Sequence, residues 1–266
     1  MTVRFRRLAF LFAGGALLLA LPHRADAEEV LRYCFNQWPP YSMMRQGEAT
    51  GISVEILTEA TRRAGLRAQF TELPWNRCLD QVRQGQIDAV VDAAARPEFL
   101  QGSTSVSYYS NTIWVRDTDG LRNYAPALLK GRKVGLVHGY EYPPSLLKEL
   151  DDAGAEFDRS VDDPTNIRKL AFGRIDAIVA DLASTIVFVR KHGLSLRPLR
   201  PTHSADPLYP SFNPKAAARQ VRIDKALAET LQDGTVDRIY RRYLDLDFCS
   251  IAPPGSHAAC QSQPRQ

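Results

Sequence analysis

Two ten-residue stretches 88 positions apart follow one pattern: Val82-Arg83-Gln84-Gly85-Gln86-Ile87-Asp88-Ala89-Val90-Val91 and Leu170-Ala171-Phe172-Gly173-Arg174-Ile175-Asp176-Ala177-Ile178-Val179. Each reads as a helix end, a glycine, one spacer, Ile-Asp-Ala and two further apolar residues. Glycine suits its place because the left-handed turn that ends a helix needs positive φ. The mostly apolar run after it is what a parallel strand buried on both faces looks like. A helix that feeds a buried strand, met twice, implies two parallel sheets of like design.

Periodicity extends the pattern. Val30–Phe35 reads as a first strand, broken by Trp38-Pro39-Pro40-Tyr41, where two prolines remove donors and fix φ. Over Gly51–Gly65, Ile52, Ile56, Leu57, Ala60 and Ala64 form one apolar helical stripe. Leu66, Ala68 and Phe70 alternate with Arg67, Gln69 and Thr71, as in a strand. Asn76 is placed to cap a helix that carries Leu79 and Val82 and ends at Gly85, before the buried strand Ile87–Val91. This β-α-β-α-β order is that of a doubly wound sheet. It restarts with strand Lys133–Val137, helix Ser145–Gly154, strand Glu156–Val161, helix Asn166–Gly173, strand Ile175–Val179 and helix Leu182–Gly193. Leu194–Leu199 reads as a further strand, Pro201–Pro214 as irregular, and Ala216–Leu231 and Thr235–Leu244 as closing helices.

The N-terminus has the form of an export signal. Arg4, Arg6 and Arg7 precede an uncharged run from Leu8 to Leu21, and Ala25-Asp26-Ala27 is an A-x-A cleavage site. The mature chain would start at Glu28, in a periplasmic location, and no second run of about 18 apolar residues follows. Without residues 1–27 the chain holds 30 basic and 29 acidic residues, so the formal charge of +4 argues for no nucleic-acid or membrane partner. Export favours bonded cysteines. Cys249 and Cys260, 11 residues apart in a Pro/Gly-rich tail, are expected to pair, which leaves Cys34 with Cys78. These spacings match no zinc or redox motif, and the five scattered histidines make no metal site. No cofactor is expected.

Several segments, in order, resemble the family-3 extracellular solute-binding proteins, the receptor class of ABC importers. Trp38-Pro39-Pro40-Tyr41 resembles the family's P-P-F/Y, and Gly51-Ile52-Ser53-Val54-Glu55 its G-F-x-x-D/E. Leu73-Pro74-Trp75 followed by the Leu79–Ala89 segment resembles its W-x-x-x-x-x-x-L-x-x-G-x-x-D, and Ser105–Tyr109 its F-S-x-P-Y-Y. Leu129–Gly135 is similar to L-K-G-K-x-V-G, Gly173–Asp181 to G-R-x-D-A-x-x-x-D, and Leu231–Leu244 to the terminal L-x-x-D-G-T-x-x-x-I-x-x-K-Y-L. Each motif alone is weak; their collinearity over about 215 residues carries the resemblance.

The resemblance implies an α/β, two-lobed type II periplasmic-binding-protein fold: two doubly wound lobes joined by two crossover strands. Lobe 1 would hold residues 28–117 and 207–250, lobe 2 residues 118–206, and a tail residues 251–266, with Ile113–Arg116 and Leu208–Phe212 crossing between lobes. It implies a ligand cleft between the lobes, beyond the strand ends. Tyr41 matches the ligand-stacking aromatic, and Trp75 a second aromatic position. Asp92, Ala93 and Arg96 follow the buried strand of lobe 1; Gly139 and Tyr140 follow the first strand of lobe 2. Asp181 matches the family's amine-binding carboxylate, although it also stands where a helix N-cap is expected. One departure concerns the family's T-x-x-E/K-R, whose arginine clamps a ligand carboxylate. Here the segment is Ala93-Ala94-Ala95-Arg96, without the hydroxyl and shorter, so Arg96 is either a substitute clamp or a surface residue.

The function expected is capture of a small polar, amine-bearing, amino-acid-like solute by a monomeric receptor and delivery to an ABC permease. Two alternatives stay open: a sensor module for a membrane signalling partner, and a dehydratase-type enzyme on the same fold. No nucleophile–base pair supports the latter, and fold does not fix function.

Overall fold

The computed structural model describes residues 29–244, 247–248 and the first two of the chain. The export segment, its cleavage site and the expected Cys249–Cys260 pair lie outside the described residues.

The first half carries β1 (Val30–Phe35), a small hairpin β2 (Met43–Arg45) and β3 (Glu48–Thr50), α1 (Ile52–Arg63), β4 (Arg67–Glu72), α2 (Trp75–Arg83), β5 (Ala89–Ala93) and the long β6 (Ser107–Arg116). Then come β7 (Lys133–Val137), α3 (Pro144–Asp152), β8 (Glu156–Ser160), α4 (Asp163–Ala171), β9 (Ala177–Ala180), α5 (Leu182–His192) and β10 (Leu196–Pro198). The chain returns through β11 (Ser204–Phe212) to α6 (Ala217–Gln232) and α7 (Thr235–Leu244).

The strands pair in the order β4-β1-β5-β11-β6-β9-β7-β8, with β10 on β6. The β4-β1-β5 and β8-β7-β9 pairings are parallel, one set per lobe, as the repeated pattern predicts. Between them β6 and β11 run antiparallel from Ser204↔Asn111 to Leu208↔Ser107. Past that overlap, β6 joins β9 and β11 joins β5, so each long strand serves both lobes. The segment read as irregular is therefore mostly strand. Its Pro210 sits where the β11–β5 register shifts, which suits a residue with no N–H to give the ladder.

The echo has one structural meaning in both lobes. Gly85 and Gly173 end their helices at φ 73° and 71°. The residue just before the next strand is then an aspartate clamped to the first strand of its lobe. The Asp88 N–H donates to the Arg32 carbonyl at 3.0 Å while the Arg32 N–H donates to Asp88 Oδ2 at 2.9 Å. The same pair forms between Asp176 and Lys133, at 2.9 Å in each direction. Each carboxylate thus fixes the register on which its lobe is built.

Packing differs between the lobes. In the first, Cys34 on β1 and Cys78 on α2 form a disulfide with Cα atoms 5.7 Å apart, among buried Leu79, Val82, Ile87 and Val90. In the second, Trp114, Ile167, Leu170, Ile175 and Ile178 fill the equivalent layer. Asn76 does not cap α2: the helix starts at Trp75, two residues earlier than such a cap would give, with Pro74 at the N-cap position and no side-chain cap bond.

Candidate ligand-binding cleft

A cavity of about 450 Å³ lies between the lobes, a size suited to a small solute. It opens beyond the C-terminal ends of β1, β5 and β7, where ligands bind in sheets of this kind. Residues 206–209 of β11 complete its wall.

Of the residues singled out from sequence, Trp75, Asp92, Ala93, Arg96 and Tyr140 line this cavity; Tyr41, Gly139 and Asp181 are not among its lining residues. Tyr41 is only 1% exposed and lies stacked behind Trp38, ring centroids 4.2 Å apart. Trp38 forms the wall and stacks in turn near Tyr109, at 6.0 Å. The Pro39-Pro40 break thus turns the chain so that the first aromatic, not the second, meets the cavity. Tyr140 packs edge-on against both Trp75 and Tyr109, which makes the wall largely aromatic.

Asp92 and Asp181 are both almost fully buried, yet their environments differ. Asp181 spends both oxygens on backbone: Oδ1 accepts from the Ser110 N–H at 2.9 Å and Oδ2 from the Ser184 N–H at 2.8 Å. It is the N-cap of α5. Asp92 uses only Oδ1, which accepts from the Ser53 hydroxyl at 2.9 Å and the Ser107 hydroxyl at 2.6 Å. Its Oδ2 is buried and has no hydrogen-bond partner among the described residues. Burial pushes both carboxyl groups up to about 6, against the pull of these donors. Asp163, behind the cavity, accepts from the Tyr140 hydroxyl at 3.1 Å, and burial lifts it to about 7.

Arg96 stitches the lobes together. It donates to the Gly139 carbonyl at 2.8 Å and pairs with Glu141 at 3.1 Å. Trp75 Nε1 donates to the same carbonyl at 3.0 Å, and the Arg96 guanidinium lies 5.9 Å from the Trp75 ring centre. Asn36 reaches the Tyr140 hydroxyl at 3.4 Å. Gly139 has φ +82°, and a Cβ there would stand 2.3 Å from Asn76 Oδ1, so the close approach of the lobes depends on glycine at this position. The site also uses residues that sequence reading did not single out. The Ser53 and Ser107 hydroxyls lie in quoted motifs, but Asp206 sits in the stretch read as irregular, where no periodicity marked it.

Two lobes around an open, largely aromatic cavity, with crossing strands behind it, define a cleft-type binding protein. Residues 31–246 match the bacterial extracellular solute-binding proteins, family 3, and the chain belongs to that family. The L-cystine-binding protein TcyJ of Escherichia coli K12 is 23% identical over 223 residues, 79% of this chain and 80% of that protein. A putative amino-acid ABC transporter-binding protein, PatH of Vibrio harveyi, is 24% identical over 246 residues, 89% of this chain and 96% of its own. An ancestral arginine-binding protein bound to arginine superposes with a TM-score of 0.70 at 22% identity, over 82% of this chain and 99% of that one. The fold and the solute-binding class are those the sequence motifs predict.

Proposed function

We propose that this chain is a non-enzymatic, exported receptor that captures a small amine-bearing solute in the interlobe cavity and passes it to an ABC importer. The observation that carries the ligand class is Asp92: a buried cavity-wall carboxylate with one oxygen unpartnered. Leaving such an oxygen unpaired is costly, and an ammonium group is the donor that offsets the cost most. The amino-acid and cystine specificities in the names of PatH and TcyJ support a ligand of this kind. Export follows from the leader at residues 1–27, cleaved after Ala27. The lobes would divide as residues 28–117 with 207–250, and 118–206. In this reading Trp38, Trp75 and Tyr140 flank the solute, Asp92 holds its amine, and Tyr41 and Asp181 support the wall from behind.

Calorimetric titration of the mature chain with a panel of amines and amino acids tests this. Binding by the wild type that Asp92→Asn weakens tenfold or more supports it. A ligand bound equally well by both proteins would remove Asp92 from the site.

A further inference from the structure

The charge of the cavity wall bears on what the rest of the ligand carries. Among the described residues, three carboxylates line the cavity, Asp92, Glu141 and Asp206, against one guanidinium, Arg96. That guanidinium is already engaged on two sides, by the Gly139 carbonyl and by Glu141, and its side chain is 9% exposed. Its Nε is buried without a partner among the described residues, so the edge left to a ligand is that of the terminal N–H groups not used by Gly139 and Glu141, and Glu141 already offsets their charge. Such an edge suits a neutral acceptor such as a hydroxyl or an amide oxygen. A ligand carboxylate would instead enter a wall of net negative charge. It would have to compete with Glu141 for Arg96 and disturb the contact that joins Arg96 to Gly139 across the cleft. A cation suffers no such penalty, and the aromatic side chains of Trp38, Trp75 and Tyr140 in the wall favour it further.

The geometry points to a ligand that is a primary organic amine with a neutral hydrogen-bond acceptor and no carboxylate, excluded from the acid form by the Arg96–Glu141 pair. This rests on the amine reading of Asp92 and narrows it: Asp92 selects the ammonium, and Glu141 rejects the acid.

Matched series that differ only at the carboxylate test the inference on the mature chain: L-tyrosine, L-tyrosinamide and tyramine, and L-lysine, L-lysinamide and cadaverine. Titration calorimetry should show the amide or amine of a series binding at least tenfold more tightly than its acid. Glu141→Gln, which frees Arg96, should narrow that gap at least threefold by strengthening the acid. Acids that bind the wild type more tightly than their amides and amines overturn the inference. If Asp92→Asn still weakens those acids, the amine reading stands without it. A preference that Glu141→Gln leaves unchanged also overturns it, since the pair would not then be the cause. If no member of either series binds, the amine reading and the inference fall together.

Discussion

Each parallel sheet brings a carboxylate to the end of its third strand. Asp92 lies within β5, four residues after the register-setting Asp88, and Asp181 follows β9 directly, five residues after Asp176. The two are alike in burial and in proton affinity, for the same reason: desolvation of a charge. They differ in who supplies the donors. Two rigid backbone amides saturate Asp181, so its charge is consumed in holding α5 and β6. Two side-chain hydroxyls serve one oxygen of Asp92 and leave the other over. Burial alone therefore does not identify a binding group; the balance of donors against acceptor oxygens does.

The largest test of the lobe-to-lobe difference concerns the disulfide, which has no counterpart among the described residues of the second lobe. Its 44-residue span implies a stabilisation of about 4 kcal/mol through the unfolded chain. A Cys34→Ala/Cys78→Ala double variant should lose stability of that order in urea denaturation. Amide protection should drop in β1 and α2 before β7 and β9; a loss spread evenly over both lobes would mean that they unfold as one unit.

Next in size is the exchange of roles between the two carboxylates. Asp92→Asn should weaken an identified amine ligand by about tenfold to a hundredfold, the worth of one charged hydrogen bond. Asp181→Asn should change affinity by less than about threefold. The opposite ranking in calorimetry would return the ligand role to Asp181.

Proton linkage sharpens the same contrast. Asp92 must be ionised to hold an ammonium, so amine affinity should fall about tenfold per pH unit below its value of about 6. Asp92→Asn should flatten that profile, and Asp181→Asn should not. In the free protein the sign is reversed. Asp92, Asp163 and Asp181 are all raised, so the native state binds more protons than the unfolded chain between about pH 4 and 7. Their joint contribution to stability should decline as pH rises through that window. Titration at several pH values and denaturation of the free chain check the two halves.

The smallest effect is the cap itself. Asp181→Ala should cost about 1 kcal/mol of stability by denaturation, and Asp181→Asn less, because asparagine also caps. Equal losses from both variants would show that the charge, rather than the cap geometry, holds α5.

Most of the architecture was legible in the chain because it rests on local rules. The echoed Gly-x-Ile-Asp-Ala units mark where helices end and buried strands begin, since positive φ and apolar runs are written residue by residue. The helix over 51–65 and the closing pair of helices follow from 3.6-residue periodicity. The Cys34–Cys78 pairing could be reasoned from export and from the expectation that Cys249 and Cys260 pair with each other. The cleft was legible only as a neighbourhood. Asp92, Arg96 and Tyr140, named from strand-end positions, line the cavity, whereas Tyr41 and Asp181, named beside them, are not among its lining residues. Whether a strand-end side chain faces a cavity or a backbone amide depends on the path of a chain distant in sequence. Ser110, 71 residues before Asp181, supplies an amide to one of its oxygens, and Ser53 and Ser107 bind only one oxygen of Asp92. The sequence by itself determined two doubly wound lobes and which residues end their strands, because helix ends, buried strands and register are short-range. Only the tertiary structure decided which carboxylate is left wanting a partner and which arginine is already taken, because hydrogen-bond saturation is settled by groups far apart in the chain.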